Sequence, residues 1–292
     1  MIKRRRAYSF CCGNRLLDLS RPVVMGVLNT TPDSFYAGSR VLSVDAALRS
    51  AEQMLAEGAA ILDIGGASTR PGAEEVPEEE ELRRVLPVLE AVRKYFPEAI
   101  LSIDTWRARV AQEALDVGAS LVNDVSAGRW DAGLLEVVAR YRCPYILMHA
   151  RGTPKTMQQA PFYSDVVREV LDFFIQQLKE LRRLGICDIA VDPGFGFGKT
   201  LEHNYTLLQH LATIEAVLDL PLLVGVSRKS MVCRLLGVRP EAALNGTTAL
   251  HVLALLQGVR ILRVHDVREA IEAINIVEAY EDPHSIKIAL AP

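Results

Sequence analysis

Residues 145–148 read YILM, residues 167–181 read VREVLDFFIQQLKEL and residues 189–191 read IAV. The outer two are short, wholly apolar runs of the kind that fit a strand buried on both faces. In the middle stretch Val167, Val170, Leu171, Phe174, Leu178 and Leu181 recur at helical spacing. Strand, amphipathic helix, strand is the unit from which parallel sheets are built. The same unit runs through the whole chain. Apolar runs stand at Val23–Leu28, Ala60–Ile64, Ile100–Ile103, Leu121–Val122, Tyr145–Met148, Ile189–Val191, Leu222–Val226 and Ile261–Val264, and Val44, Ala47, Leu48, Ala51, Met54 and Leu55 form a second helical stripe. Eight such units favour an α/β fold closed as a single (β/α)8 TIM barrel over an open doubly wound sheet.

Ahead of the first run, Tyr8 to Leu19 holds Gly13-Asn14 between two short apolar stretches, which predicts a hairpin over the barrel floor. The expected division is residues 1–20 as an N-terminal extension with this hairpin, 21–282 as the barrel and 283–292 as a tail. No Pro-, Gly- or Ser-rich linker divides the chain, and 292 residues that are 50% hydrophobic suffice for one core. The acidic run Glu74 to Glu81, with Pro77 inside it, suits a solvated helix start.

A net charge of −3 gives no basic field to hold nucleic acid by counterion release. Lys3-Arg4-Arg5-Arg6 reads as a solvated terminus, because Ser9, Gly13, Asn14 and Arg15 break what a secretory signal would need. No stretch reaches the ~18 apolar residues of a membrane span, so a cytoplasmic protein without membrane or nucleic-acid partners is expected. Cys11, Cys12, Cys143, Cys187 and Cys233 are odd in number and form no C-x-x-C pair, which points to reduced thiols.

Reactive groups in such a barrel come from the C-terminal ends of the strands. Polar clusters stand there after nearly every apolar run: Asn29 to Phe35, Asp63 to Gly72, Asp104-Thr105, Asn123-Asp124, His149, Asp192 to Lys199, Ser227 to Ser230, and Arg263 to Asp266. Thr105, Asp124, Ser230 and Asp266 are equally well explained as caps or turn residues. The Gly-rich stretch 194–199 fits no phosphate loop, because Pro193 stands where a Walker loop needs glycine and Lys199 where a dinucleotide fingerprint needs one. Its glycines are expected to admit a flat ligand, with Phe195 and Phe197 as walls unless one of them is core.

Eight motifs stand in order from MGVLNTTPDSF (25–35) and DIGGASTRPGAEEV (63–76) through SIDT (102–105), NDVS (123–126), LMHARGTPKTMQ (147–158) and VDPGFGFGK (191–199) to GVSRKS (225–230) and LRVHDV (262–267). Together they resemble the dihydropteroate synthase family, over about Asp18 to Val267. The resemblance implies condensation of a dihydropterin pyrophosphate with p-aminobenzoate, Mg2+ as cofactor, competitive inhibition by sulfonamides and a homodimer. It further implies that Asp104, Asn123, Asp192, Lys229 and Arg263 bind the pterin, with Asp104, Lys229 and Arg263 catalytic. Asn29, Thr69, Arg70, Arg263 and His265 would hold the pyrophosphate, Asn29 would contact the metal, and Phe35, Thr69, Pro71, Phe197 and Ser227 would form the p-aminobenzoate slot. A carboxylate and an amide are suited to this work, because a pterin edge presents adjacent N–H donors and a carbonyl.

Ala67, Ala37 and Ala150 depart from the family pattern, which has Glu, Asp and Met there, and they bear on loop and slot shape. A methyltetrahydrofolate-type pterin-binding methyltransferase domain is the alternative within the wider group, but it is not expected to carry TPDSF, STRPG and SRKS together. A non-catalytic pterin-binding paralogue would be expected to lose Asn29, Lys229 or the loops after the first two strands.

Overall fold

The computed structural model describes residues 6–30, 40–67, 75–152, 156–157 and 161–285. Strands β1 (Ser9–Cys12) and β2 (Arg15–Asp18) form an antiparallel hairpin that turns at Gly13-Asn14. Eight parallel strands follow: β3 (Val23–Asn29), β4 (Ile61–Gly65), β5 (Ile100–Asp104), β6 (Leu121–Asp124), β7 (Tyr145–Met148), β8 (Ile189–Asp192), β9 (Leu223–Val224) and β10 (Ile261–Val264), with helices between them. They are hydrogen-bonded in the order β8-β7-β6-β5-β4-β3-β10-β9. The two ends of that series meet through a parallel bridge between Val191 and Leu222, with the Val191 amide donating to the Pro221 carbonyl at 3.0 Å. The sheet is therefore a nearly closed barrel. Several strands run one or two residues past their apolar stretch, which carries Asn29, Asp104 and Asp192 into the pleat, whereas the expected Leu222–Val226 strand shrinks to two residues.

Alternation along each strand decides what faces the interior. At the floor, Met25, Ile61, Ile100, Leu121, Ile146, Ala190, Leu223 and Ile261 pack together, and Phe10, Cys12, Leu17 and Leu19 of the hairpin close the layer from below. Their strand neighbours Leu62, Leu101, Val122, Leu147, Val191, Val224 and Leu262 belong instead to the larger cluster shared with the helices. Two residues above the floor the interior positions turn polar at Asp63, Ser102, Asn123, Asp192 and Arg263, and two further on they reach Asn29, Asp104, Ser227 and His265. The apolar plug at one end lets the other end remain polar without admitting water through the barrel.

The glycines of the 194–199 loop meet the chain itself. Gly194 has φ +71°, and an added Cβ would lie 1.9 Å from the His149 carbonyl oxygen; Gly198, at φ +66°, would bring its Cβ to 2.3 Å from the Arg151 carbonyl oxygen. Close approach to a ligand, expected from the sequence, is not what these two positions require. Gly196 alone has room, with Lys229 Cδ 3.7 Å away. Gly13 provides the contrast, since it is left-handed at φ +65° with nothing within 4 Å. Gly13→Ala should therefore cost only left-handed backbone strain, about 1–2 kcal/mol. Gly194→Ala should add a backbone collision and cost roughly 3 kcal/mol or more. Denaturant unfolding of both variants measures the difference, and equal losses would contradict this account.

Candidate active site

Arg263, on β10, lies across the polar layer. Its Nε donates to Asp63 Oδ2 at 2.6 Å and its Nη2 to Asp104 Oδ2 at 2.6 Å. Asn123 Nδ2 donates to the same Asp63 oxygen at 2.9 Å. Four strands thus contribute to one network, which fixes the guanidinium plane and turns the amide nitrogen of Asn123 toward Asp63, so that its carbonyl oxygen is left as an acceptor. Asp63 Oδ1 and Ser102 Oγ are buried, have no partner among the described residues and belong to register-paired residues of β4 and β5. Burial pushes the Asp104 carboxyl up to about 7, against the pull of Arg263. Burial opposes the charge on Arg263 too, yet Asp63 and Asp104 raise it above the ordinary guanidinium value.

Across the mouth, Asp192 Oδ1 accepts the Gly194 amide at 2.7 Å. Burial raises the Asp192 carboxyl, and Lys229 is the first group to oppose the rise. Lys229 Nζ donates to the Phe195 carbonyl at 2.8 Å and sits 4.8 Å above the centre of the Phe197 ring. Its pKa falls to about 8 through burial, with Asp192 pulling the other way. Phe195 is fully buried core, whereas Phe197 lies half-buried on the rim with Val125, Met148, Ala150, Trp106 and Trp130. Of the two candidate walls, Phe197 is therefore the one at the mouth. Ser227 Oγ and His265 Nδ1 are 3.0 Å apart, and the His265 amide donates back to Ser227 Oγ at 3.3 Å.

The structure thus brings together Asp104, Asn123 and Arg263 on one side, Asp192, Lys229 and Phe197 on another, and Ser227 with His265 beside them. Asn29 ends β3, half-buried and in register with Gly65. Phe35, Thr69, Arg70 and Pro71, together with Ala37, lie outside the described residues. Ala67 stands half-buried at the last described position after β4, and the buried Ala150 lends its carbonyl to Arg129 Nη2 at 2.8 Å.

Several cap candidates resolve. Asp124, of opposite strand parity, accepts the Ser126 and Gly128 amides at 2.6 Å each and the Tyr145 hydroxyl at 2.7 Å. Thr105 Oγ1 accepts the Arg107 amide at 3.2 Å. Asp104 caps nothing, since the helix Ala108–Asp116 opens with its first amide on Asp131 Oδ2 at 2.7 Å.

Sequence reasoning gave no role to Asp63 or to Lys199. Asp63 announced itself only as a carboxylate inside an apolar strand, at interior parity. Lys199 Nζ donates to the carbonyls of Gly194 (2.9 Å) and Phe197 (3.0 Å) and contacts His149 Nδ1 at 2.9 Å. Burial takes this lysine down to about 7, and burial together with Lys199 holds His149 far below the usual imidazole value, so its ring is neutral. The pair fastens the glycine loop to the end of β7. Among the described residues no three His, Cys, Asp or Glu side chains gather to hold a metal ion.

The pterin binding enzyme family model matches residues 25–265. Dihydropteroate synthase of Escherichia coli (strain K12) is 50% identical over 265 residues, spanning 90% of this chain and 93% of the relative. Among solved structures, Yersinia pestis dihydropteroate synthase with a sulfonamide drug complex superposes with a TM-score of 0.88 at 48% identity, covering 94% of this chain and 99% of that one. Xanthomonas albilineans dihydropteroate synthase in complex with 7,8-dihydropteroate gives a TM-score of 0.85 at 40% identity, with the same coverage. The barrel, its polar mouth and these likenesses agree: the chain belongs to the dihydropteroate synthases among the pterin-binding enzymes.

Proposed function

We propose that this chain condenses 6-hydroxymethyl-7,8-dihydropterin pyrophosphate with p-aminobenzoate, giving 7,8-dihydropteroate and pyrophosphate in folate biosynthesis. The observation that carries the reading is the Arg263 guanidinium shared between Asp63 and Asp104, with Asn123 on the same network and Asp192 with Lys229 opposite. The dihydropteroate bound to the Xanthomonas relative is the product this reading requires. In the proposed reaction the amine nitrogen attacks the pterin methylene, the C–O bond breaks with its electron pair leaving on pyrophosphate, and the nitrogen then loses a proton.

The pterin edge is read by the Asn123 carbonyl, by Asp192 and by the unpartnered Asp63 oxygen, each an acceptor for ring N–H groups. Lys229 donates toward the ring carbonyl. Asp104 stabilises the positive charge that grows on the pterin as the leaving group departs, because attraction that strengthens in the transition state lowers the barrier. Arg263 and His265, with Thr69 and Arg70, receive the pyrophosphate. Phe197 and Ser227 face p-aminobenzoate together with Phe35, Thr69 and Pro71, and a sulfonamide competes for that slot, in keeping with the drug held by the Yersinia relative.

A single amide oxygen at Asn29, with no cluster of acidic or imidazole ligands among the described residues, suits a hard cation that keeps its waters and is held mainly by the substrate's own phosphates. Mg2+ would supply charge neutralisation of the leaving pyrophosphate there. The deciding experiment is a steady-state assay of pyrophosphate release. It should require both substrates and Mg2+, cease under chelation with the fold intact, and show a sulfonamide raising the KM for p-aminobenzoate without changing kcat. Release that needs neither p-aminobenzoate nor metal would overturn the proposal.

Asp104→Asn keeps the shape and removes the charge, so kcat should fall roughly 10²-fold while pterin affinity changes much less. The pH profile adds a second check. A carboxyl raised to about 7 is protonated below that pH, so kcat/KM should fall as the medium is acidified through 7. It should fall again above about 8 as Lys229 gives up its proton. Asp104→Asn should abolish the acid limb, and a variant that retains wild-type kcat would remove Asp104 from the mechanism.

Exposed Leu235, Leu236, Leu253, Leu256, Ile276 and Tyr280 lie on three helices, Ser230–Leu236, Leu244–Leu256 and Val267–Glu281. Adjacent apolar faces of this kind support a homodimer formed through them. Sedimentation should return about twice the 32.2 kDa chain mass, and a charged residue at Ile276 should halve it, whereas a wild-type monomer would refute the assembly. The reaction is assigned to the cytoplasm, where unpaired cysteines remain reduced.

A further inference from the structure

Ser227 and Lys229 both serve the mouth, yet the residue between them turns away from it. Arg228 adopts φ +54°, a left-handed conformation that is strained for any residue with a Cβ. Its amide donates to Thr247 Oγ1 at 3.0 Å, on the helix Leu244–Leu256. Its guanidinium forks onto Asp266, with Nε to Oδ2 at 2.8 Å and Nη2 to Oδ1 at 2.7 Å. The remaining nitrogen, Nη1, donates to the carbonyls of Pro240 and Glu241 at 2.9 Å each. Asp266 directly follows His265 and precedes the helix Val267–Glu281.

One side chain therefore ties the loop after β9 to the loop after β10 and to the turn Pro240–Ala242. All four of these bonds turn the guanidinium onto protein acceptors. What it fixes is the backbone turn from which Lys229 departs. The Lys229 amide closes that turn onto the Val226 carbonyl at 3.2 Å, and its side chain runs back over Phe197 to the Phe195 carbonyl. The pair is partly buried, with 25% and 18% of the two side chains exposed, and the water that reaches it limits what it adds to global stability. A planar two-bond fork does, however, define an orientation that a lysine or a water could not reproduce.

We propose that Arg228 is a positioning residue that acts through Lys229: its fork to Asp266 holds the left-handed turn that aims the Lys229 ammonium into the mouth, and thereby sets affinity for the dihydropterin pyrophosphate. The inference rests on the synthase reading of that mouth. Glycine adopts the left-handed turn without strain, so Arg228→Gly removes the tether while leaving the backbone conformation accessible.

The test is calorimetric titration of dihydropterin pyrophosphate with Mg2+ into the wild type, Arg228→Gly, Lys229→Ala and the double variant. Arg228→Gly should weaken binding roughly 10-fold in the wild-type background and less than about 2-fold where Lys229 is already absent, since residues acting as one unit are not additive. An equal loss in both backgrounds, or no loss in either, overturns the inference and leaves the synthase reading intact. Wild-type affinity in Lys229→Ala would instead defeat the reading of Lys229, and this proposal with it. Should Arg228→Gly not fold, Asp266→Asn removes the same fork from the other side, and its loss must likewise vanish without Lys229.

Discussion

A half-buried guanidinium held between two carboxylates cannot be treated as a local detail, because each charge is tolerable only while the others stay in place. Removing Arg263 would leave Asp63 and Asp104 facing each other in a poorly solvated interior; removing either carboxylate would leave a cation with half its compensation. Breaking one partner of such a group is far more costly than the group is worth intact. The network therefore demands that β4, β5, β6 and β10 hold their register, since a slip of one residue would exchange every interior side chain for one that faces the helices.

That demand is met from the opposite end of the barrel. The eight floor residues and the four from the hairpin form an apolar plug that contains no group needing water. Above it the interior is shielded enough for burial to move Asp104 and Lys229 toward neutrality, and polar enough to keep Arg263 charged. Packing at the floor and electrostatics at the mouth are two halves of one arrangement. The glycine loop, clamped by Lys199 onto His149, extends it by carrying Phe197 to the rim.

Much of this was legible in the residues. Short apolar runs separated by helical stripes pointed to eight strands closed as a barrel, and Gly13-Asn14 marked the hairpin. Interior parity separates Asp63, Asp104, Asn123, Asp192 and Arg263 from Asp124, although applying it requires the strand ends, which polar termini such as Asn123-Asp124 blur. Asp63 was counted in the polar cluster after the second run but given no role, because a carboxylate one residue from the end of an apolar run looks like the start of a loop. Lys199 escaped because its partners are mostly carbonyls, which every residue possesses. The loop glycines were read as space for a ligand, whereas two of them avoid backbone oxygens that only the tertiary fold brings near.

The rim cluster holds both tryptophans of the chain, Trp106 and Trp130, edge to face at 5.5 Å and 79°. No indole is present at the floor or in the hairpin. Indole emission, excited apart from the tyrosines, is therefore a report from the mouth alone: a quencher or a flat ligand arriving there meets both indoles at once, while rearrangement of the plug beneath leaves them in place. A melting curve followed by this emission describes the opening of one end of the barrel, and following the other end requires a probe that senses the backbone.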